Sequence, residues 1–73
     1  MSKPIPINGI VTSVCMDIFA ISESCYFSEI KARVEKLAGQ PIGEGYLANA
    51  IDDLGFIVNS VAQPWVVSNE MVN

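Results

Sequence analysis

Residues 28–55 constrain this chain most, because glycine and proline cut them into two helices joined by a very short turn. Ser28 is a good N-cap, and Glu29 sits in the first turn, where the helix dipole favours negative charge. Ile30, Val34, Leu37 and Ala38 repeat at helical spacing, which predicts a helix with that stripe turned inward. Gly39 stops it and Gln40-Pro41 turns the chain. A second stripe, Leu47, Ile51 and Leu54, predicts another helix over about 43–54, stopped by Gly55. On the solvated side of the first of these helices, Glu29 with Arg33 and Lys31 with Glu35 are i,i+4 neighbours. Each such pair contributes roughly 0.2–0.5 kcal/mol.

Upstream, Lys3-Pro4-Ile5-Pro6-Ile7 resists helix because two prolines restrict themselves and the residues before them. Residues 1–8 read as an extended arm. Asn8 then caps a helix over about 9–21, with Ile10, Val11, Val14, Cys15, Ile18 and Ile21 on one face and Met16 and Phe19 widening it. Cys25-Tyr26-Phe27 is a short apolar step before Ser28. Downstream, Phe56-Ile57-Val58 and Trp65-Val66-Val67 are β-type runs separated by Asn59 to Pro64, the makings of a hairpin. The expected fold is therefore mainly α with a small β part: three helices and a C-terminal hairpin in one domain over 9–68, with a frayed tail at 69–73.

That order, helix, apolar step, helix, tight turn, helix, hairpin, resembles a winged helix-turn-helix domain. The residues that carry the resemblance are Phe27-Ser28-Glu29-Ile30 through Leu37, then Ile42-Gly43 and Ala50-Ile51-Asp52-Asp53-Leu54-Gly55-Phe56-Ile57. The resemblance implies DNA binding through the third helix and the wing. The chemistry at those positions opposes it. The third helix offers Tyr46 and Asn49 to base edges, but Glu44, Asp52 and Asp53 surround them, and a row of phosphates repels carboxylates. The wing segment from Asn59 to Pro64 has no basic residue. Lys31, Arg33 and Lys36 lie on the second helix and are interleaved with Glu29 and Glu35. Those three are the nucleic-acid contacts of the alternative reading, a DNA-binding repressor.

The whole chain has 73 residues, 51% of them hydrophobic, and a net charge of -4. Such a composition makes a packed core and leaves apolar side chains for a partner. The acidic balance argues against nonspecific nucleic-acid binding and against a membrane-surface helix. The N-terminus lacks an apolar signal core, and no apolar span approaches 18 residues, so the expectation is a cytoplasmic chain with reduced thiols. Cys15 and Cys25 read as small core hydrophobes, with a redox pair as the alternative. There is no histidine and no glycine-rich phosphate loop, and Gly43-Glu44-Gly45 is too short to cradle one. The expectation is a non-enzyme that needs no metal or cofactor.

Small, acidic and without catalytic residues, the chain is also similar to the RNA-polymerase-binding inhibitors and antiterminators encoded by lytic bacteriophages, including phages of Xanthomonas. That similarity implies binding to the bacterial polymerase, interference with initiation and no DNA contact by the protein alone. The candidate protein-binding residues are Glu44, Tyr46, Asn49, Asp52 and Asp53 on the third helix, Ile5 and Ile7 on the arm, and Trp65 beside the hairpin turn. Each has a plainer alternative. Trp65 suits a core plug, Ile5 and Ile7 suit closure over the domain's own core, and the carboxylates suit solubility. An acidic face that mimics nucleic acid in a basic channel is a third reading.

Overall fold

The computed structural model describes residues 7–69. The chain runs α1 (Ile7–Phe19), β1 (Ser24–Tyr26), α2 (Phe27–Ala38), α3 (Glu44–Asp53), β2 (Ile57–Asn59) and β3 (Val66–Ser68). It is mainly α with a small β part. The three strands form one antiparallel sheet in the order β1-β3-β2, so the strand that comes last in sequence lies in the middle. Val67 faces Cys25 on one side and Val58 on the other.

Helix α1 supplies the centre of the core. Ile10, Val11, Val14, Cys15 and Ile18 are buried, a stripe spaced by one, three, one and three residues that fits a helix packed on more than one side. Against it pack Phe27, Ile30 and Val34 from α2, Leu47 and Ile51 from α3, and Ile42, Phe56 and Val67 from turn and sheet. No buried side chain is polar or charged among the described residues. Burying each large aliphatic side chain contributes roughly 1.5–3 kcal/mol. No helix is long and apolar enough to cross a membrane among the described residues.

Two glycines end helices as their positions predict. Gly39 adopts φ 73° after α2 and its N–H donates to Glu35 O at 2.8 Å. Gly55 takes φ 100° just beyond α3 and donates to Asp52 O at 2.9 Å. Both conformations are left-handed, where a Cβ is unfavourable. The hairpin between β2 and β3 is held by Asn59, whose Oδ1 accepts from the N–H groups of Val61 and Ala62.

Several expectations need correction. Ile7 and Asn8 belong to α1 rather than to an extended arm, and Ile7 packs against the core. Ile5 lies outside the described residues. Asn8 is not a cap: its carbonyl accepts from the Thr12 hydroxyl at 2.8 Å, one helical turn on. Helix α1 stops at Phe19, which leaves Ile21 in a turn and 88% exposed instead of buried. Residues 24–26 are a strand, not merely an apolar step, and Ser28 does not cap α2. The Phe27 N–H is taken by Trp65 O at 3.0 Å, so Tyr26 stands at the cap position and the helix starts two residues earlier. Leu37 and Leu54 sit at helix ends and both are exposed instead of buried.

Candidate protein-binding surface

The outward side of α3 begins at its first turn. Gly43, in extended backbone, precedes the helix, and Glu44 occupies the turn where the dipole welcomes a carboxylate. Tyr46, Asn49 and Asp53 follow at intervals of three and four, on the side opposite the fully buried Leu47 and Ile51. Tyr46 is half exposed, and its hydroxyl donates to Asn8 Oδ1 on α1 at 3.2 Å. That bond ties the tyrosine to a neighbouring helix.

Asn8, Ala50, Asp53 and Leu54 line a hollow of about 80 Å³ beside the tyrosine strip. Leu54 also borders a groove of about 350 Å³ between α1 and the end of α3. The stacked rings of Phe19 and Phe56, 4.8 Å apart, form part of its wall, together with Met16 and Thr12. The result is a continuous surface with an apolar groove at one end and a polar strip with one aromatic anchor at the other. Protein interfaces have this make-up.

The carboxylates are set unfavourably for the helix alone. Helix α3 has no basic residue in its last turn and ends on Asp52 and Asp53. Negative charge at a helix C-terminus opposes the dipole by roughly 0.3–1 kcal/mol per group. None of Glu44, Asp52 and Asp53 joins an ion pair among the described residues. The basic side chains of α2, by contrast, are largely engaged. Lys31 Nζ meets Glu35 Oε2 at 2.9 Å and Arg33 Nε meets Glu29 Oε2 at 3.0 Å. Glu35 Oε2 also accepts from the Ile42 N–H at 2.8 Å, so the carboxylate braces the turn into α3. That hydrogen bond first, and Lys31 second, hold the Glu35 carboxyl below the usual carboxylate range. Lys36 is exposed at the end of α2, where a cation suits the dipole.

The eight protein-binding candidates divide. Tyr46, Asn49 and Asp53 share one strip, and Asp52 flanks it. Glu44 does not join them. It borders a separate hollow of about 270 Å³ with Trp65, Phe27, Ser28 and Pro64. Trp65 is half buried and packs on the core, its ring 5.1 Å from that of Phe27, so its main role is a plug with one exposed edge. Asn8, Thr12, Met16, Phe19 and Leu54 line this surface in addition to the residues that the sequence singles out. Asn8, Thr12, Met16 and Phe19 recur at intervals of four, four and three along α1, and that spacing beside the core stripe is the signal that reveals them.

The thiols are both free, Cys15 buried and Cys25 half buried. Burial, and to a lesser extent the neighbouring Cys25, push the Cys15 thiol up to about 11, so it stays protonated and packs as an apolar group. No protein-family model matches this chain, and no match is found among curated proteins or solved structures.

Proposed function

We propose that this chain is a small winged-helix-like regulator that binds a bacterial RNA polymerase through protein contacts and lowers transcription initiation. The element order α1-β1-α2-α3-β2-β3, with β3 between its two neighbours, supports the winged-helix reading. The observation that carries the choice of a polypeptide partner is the outer side of α3. Two unpaired carboxylates, Asp52 and Asp53, lie where a groove-reading helix needs neutral or basic side chains, and Lys31 and Arg33 are already held by Glu35 and Glu29. The segment between β2 and β3, residues 60–65, has no lysine or arginine to grip phosphate. Carboxylates kept at a helix end that they destabilise suggest a role outside the fold. The choice of RNA polymerase rests on the similarity to small phage-encoded polymerase regulators.

In this reading Tyr46 is the anchor, Asn49 and Asp53 surround it, and the groove at Met16, Leu54 and Phe56 accepts an apolar side chain of the partner. Purified bacterial RNA polymerase core and holoenzyme, passed over the immobilised chain, should be retained. A reconstituted promoter assay should lose initiation in proportion to the chain added. Failure of both enzyme forms to bind, with initiation unaffected, rejects the proposal. Retardation of promoter DNA by the chain alone, falling steeply with salt, would replace it with the repressor reading.

A further inference from the structure

Another hollow lies away from the α3 strip, where the end of α1 meets β1 and the first half of α2. It measures about 570 Å³ and is lined by all three residues of β1, together with Asp17, Ile18, Ile21, Glu29, Arg33 and Val66 among others. Among the described residues, strand β1 is an edge strand, paired with β3 on one side only. Its hydrogen-bond parity can be read from its flanks. Glu23 O accepts from the Asn69 N–H, and the Phe27 N–H donates to Trp65 O. Antiparallel pairing alternates, so the backbone groups of residues 23, 25 and 27 face β3, and those of Ser24 and Tyr26 face away from it. Ser24 and Tyr26 are both exposed. The Cys25 thiol donates to Tyr26 O at 3.4 Å, which leaves the Ser24 N–H, the Ser24 carbonyl and the Tyr26 N–H as the open edge.

The rim of this hollow has a definite charge. Asp17 stands in the last turns of α1, a helix with no basic residue at its C-terminal end, and it joins no ion pair among the described residues. Glu29 is matched by Arg33 at 3.0 Å, so the cation there is neutralised on site. The helix end and the unpaired Asp17 together favour an incoming cation. Ile18 and Ile21 offer apolar surface next to it, Ile21 being 88% exposed.

We infer that the open edge of β1 and this acidic hollow receive an extended segment of a partner protein, in which a lysine or arginine alternates with an aliphatic side chain. The segment adds a short strand beside Ser24 to Tyr26, the recognised mode of peptide capture at an exposed sheet edge. Its main-chain groups meet Ser24 and Tyr26, its cation lies near Asp17, and its aliphatic side chain lies on Ile21. This surface is distinct from the α3 strip, and its occupancy does not depend on the polymerase reading.

The test is an NMR titration of the full chain with a capped seven-residue peptide of alternating valine and lysine. The amide signals of Ser24 and Tyr26 should shift and gain protection from exchange. The matching valine–glutamate peptide should bind at least tenfold more weakly. A valine–lysine peptide N-methylated on its edge-facing residues should not bind. Asp17→Asn, an exposed helical substitution, should reduce the preference for lysine severalfold. Unshifted Ser24 and Tyr26 signals at millimolar peptide would overturn the inference, as would equal binding of the two charge types. Signals of those two residues that move with protein concentration alone would assign the edge to a second copy of this chain, which also overturns it. No polymerase enters the titration, so its failure and the failure of the proposed function are separable.

Discussion

Helices α2 and α3 are built alike on the inside and oppositely on the outside. Beneath α2 lie Ile30 and Val34, beneath α3 Leu47 and Ile51, all fully buried. Outside, α2 is self-sufficient. It has an acid in its first turn, a base in its last, and two i,i+4 ion pairs between. Helix α3 keeps the acid at its start but ends on two more, with no base and no ion pair among the described residues. A face whose charges answer one another has little left to offer a partner. A face whose charges are unanswered, and whose tyrosine is braced from another helix, is available for one.

This contrast can be broken at its foundation or at its surface. The largest effect is expected inside, where the two helices agree: Leu47→Ala and Ile30→Ala should each lower stability by about 2–5 kcal/mol. Urea unfolding should show a reduced midpoint with an unchanged slope. On the surface the helices should part. Tyr46→Ala should weaken polymerase binding about thirtyfold, roughly 2 kcal/mol, with folding little changed, whereas Lys36→Ala should leave binding alone. Equal losses from both variants, measured by interferometry, would erase the distinction.

A smaller effect separates stability from association at the end of α3. The double change Asp52→Asn with Asp53→Asn should slow association severalfold and flatten its salt dependence. The same change should raise stability by roughly 0.3–1 kcal/mol for each group, because the dipole no longer opposes it. A loss of stability instead would mean that the two carboxylates serve the fold. On α2, the lowered pKa of Glu35 predicts an acid limb. A depressed carboxyl contributes stability that is present above its unfolded pKa and is lost as pH falls through its folded value. Glu35→Gln should flatten that limb below the ordinary glutamate range in an acid titration followed by circular dichroism. The smallest effect is expected at the exposed Arg33–Glu29 pair, where Arg33→Ala should change stability by about 0.5 kcal/mol or less.

Much of the α part was legible because its signals are local. Gly39 and Gly55 mark helix ends, Ile30 with Val34 and Leu47 with Ile51 mark inner stripes, and the charge spacing foretold both ion pairs. The β2–β3 hairpin was legible from two β-type runs around Asn59 and Pro64. Strand β1 was not, since Ser24-Cys25-Tyr26 is too short to alternate visibly and its partner, residues 66–68, lies some forty positions away. The start of α2 was displaced for the same reason: its first N–H answers Trp65, a residue no local rule connects to it. Leu37, Leu54 and Ile21 continue the apolar rhythm past the point where another element covers them. At the candidate site, the α3 strip followed from helical spacing. The separation of Glu44 from Tyr46 was also legible, since residues two apart on a helix face different sides, whereas the contribution of Asn8 depends on how α1 sits against α3, which spacing alone does not encode.

The middle position of β3 has a consequence for how the chain becomes a folded molecule. A ribosome releases the helices, β1 and β2 before the strand on which both of the others depend. Until Val66 to Ser68 emerge, β1 and β2 have no common neighbour, and the helical layer lacks the floor that Val67 provides. Sheet assembly therefore waits for β3, and an interruption just short of residue 66 would yield a nascent product with two strands and nothing to join them.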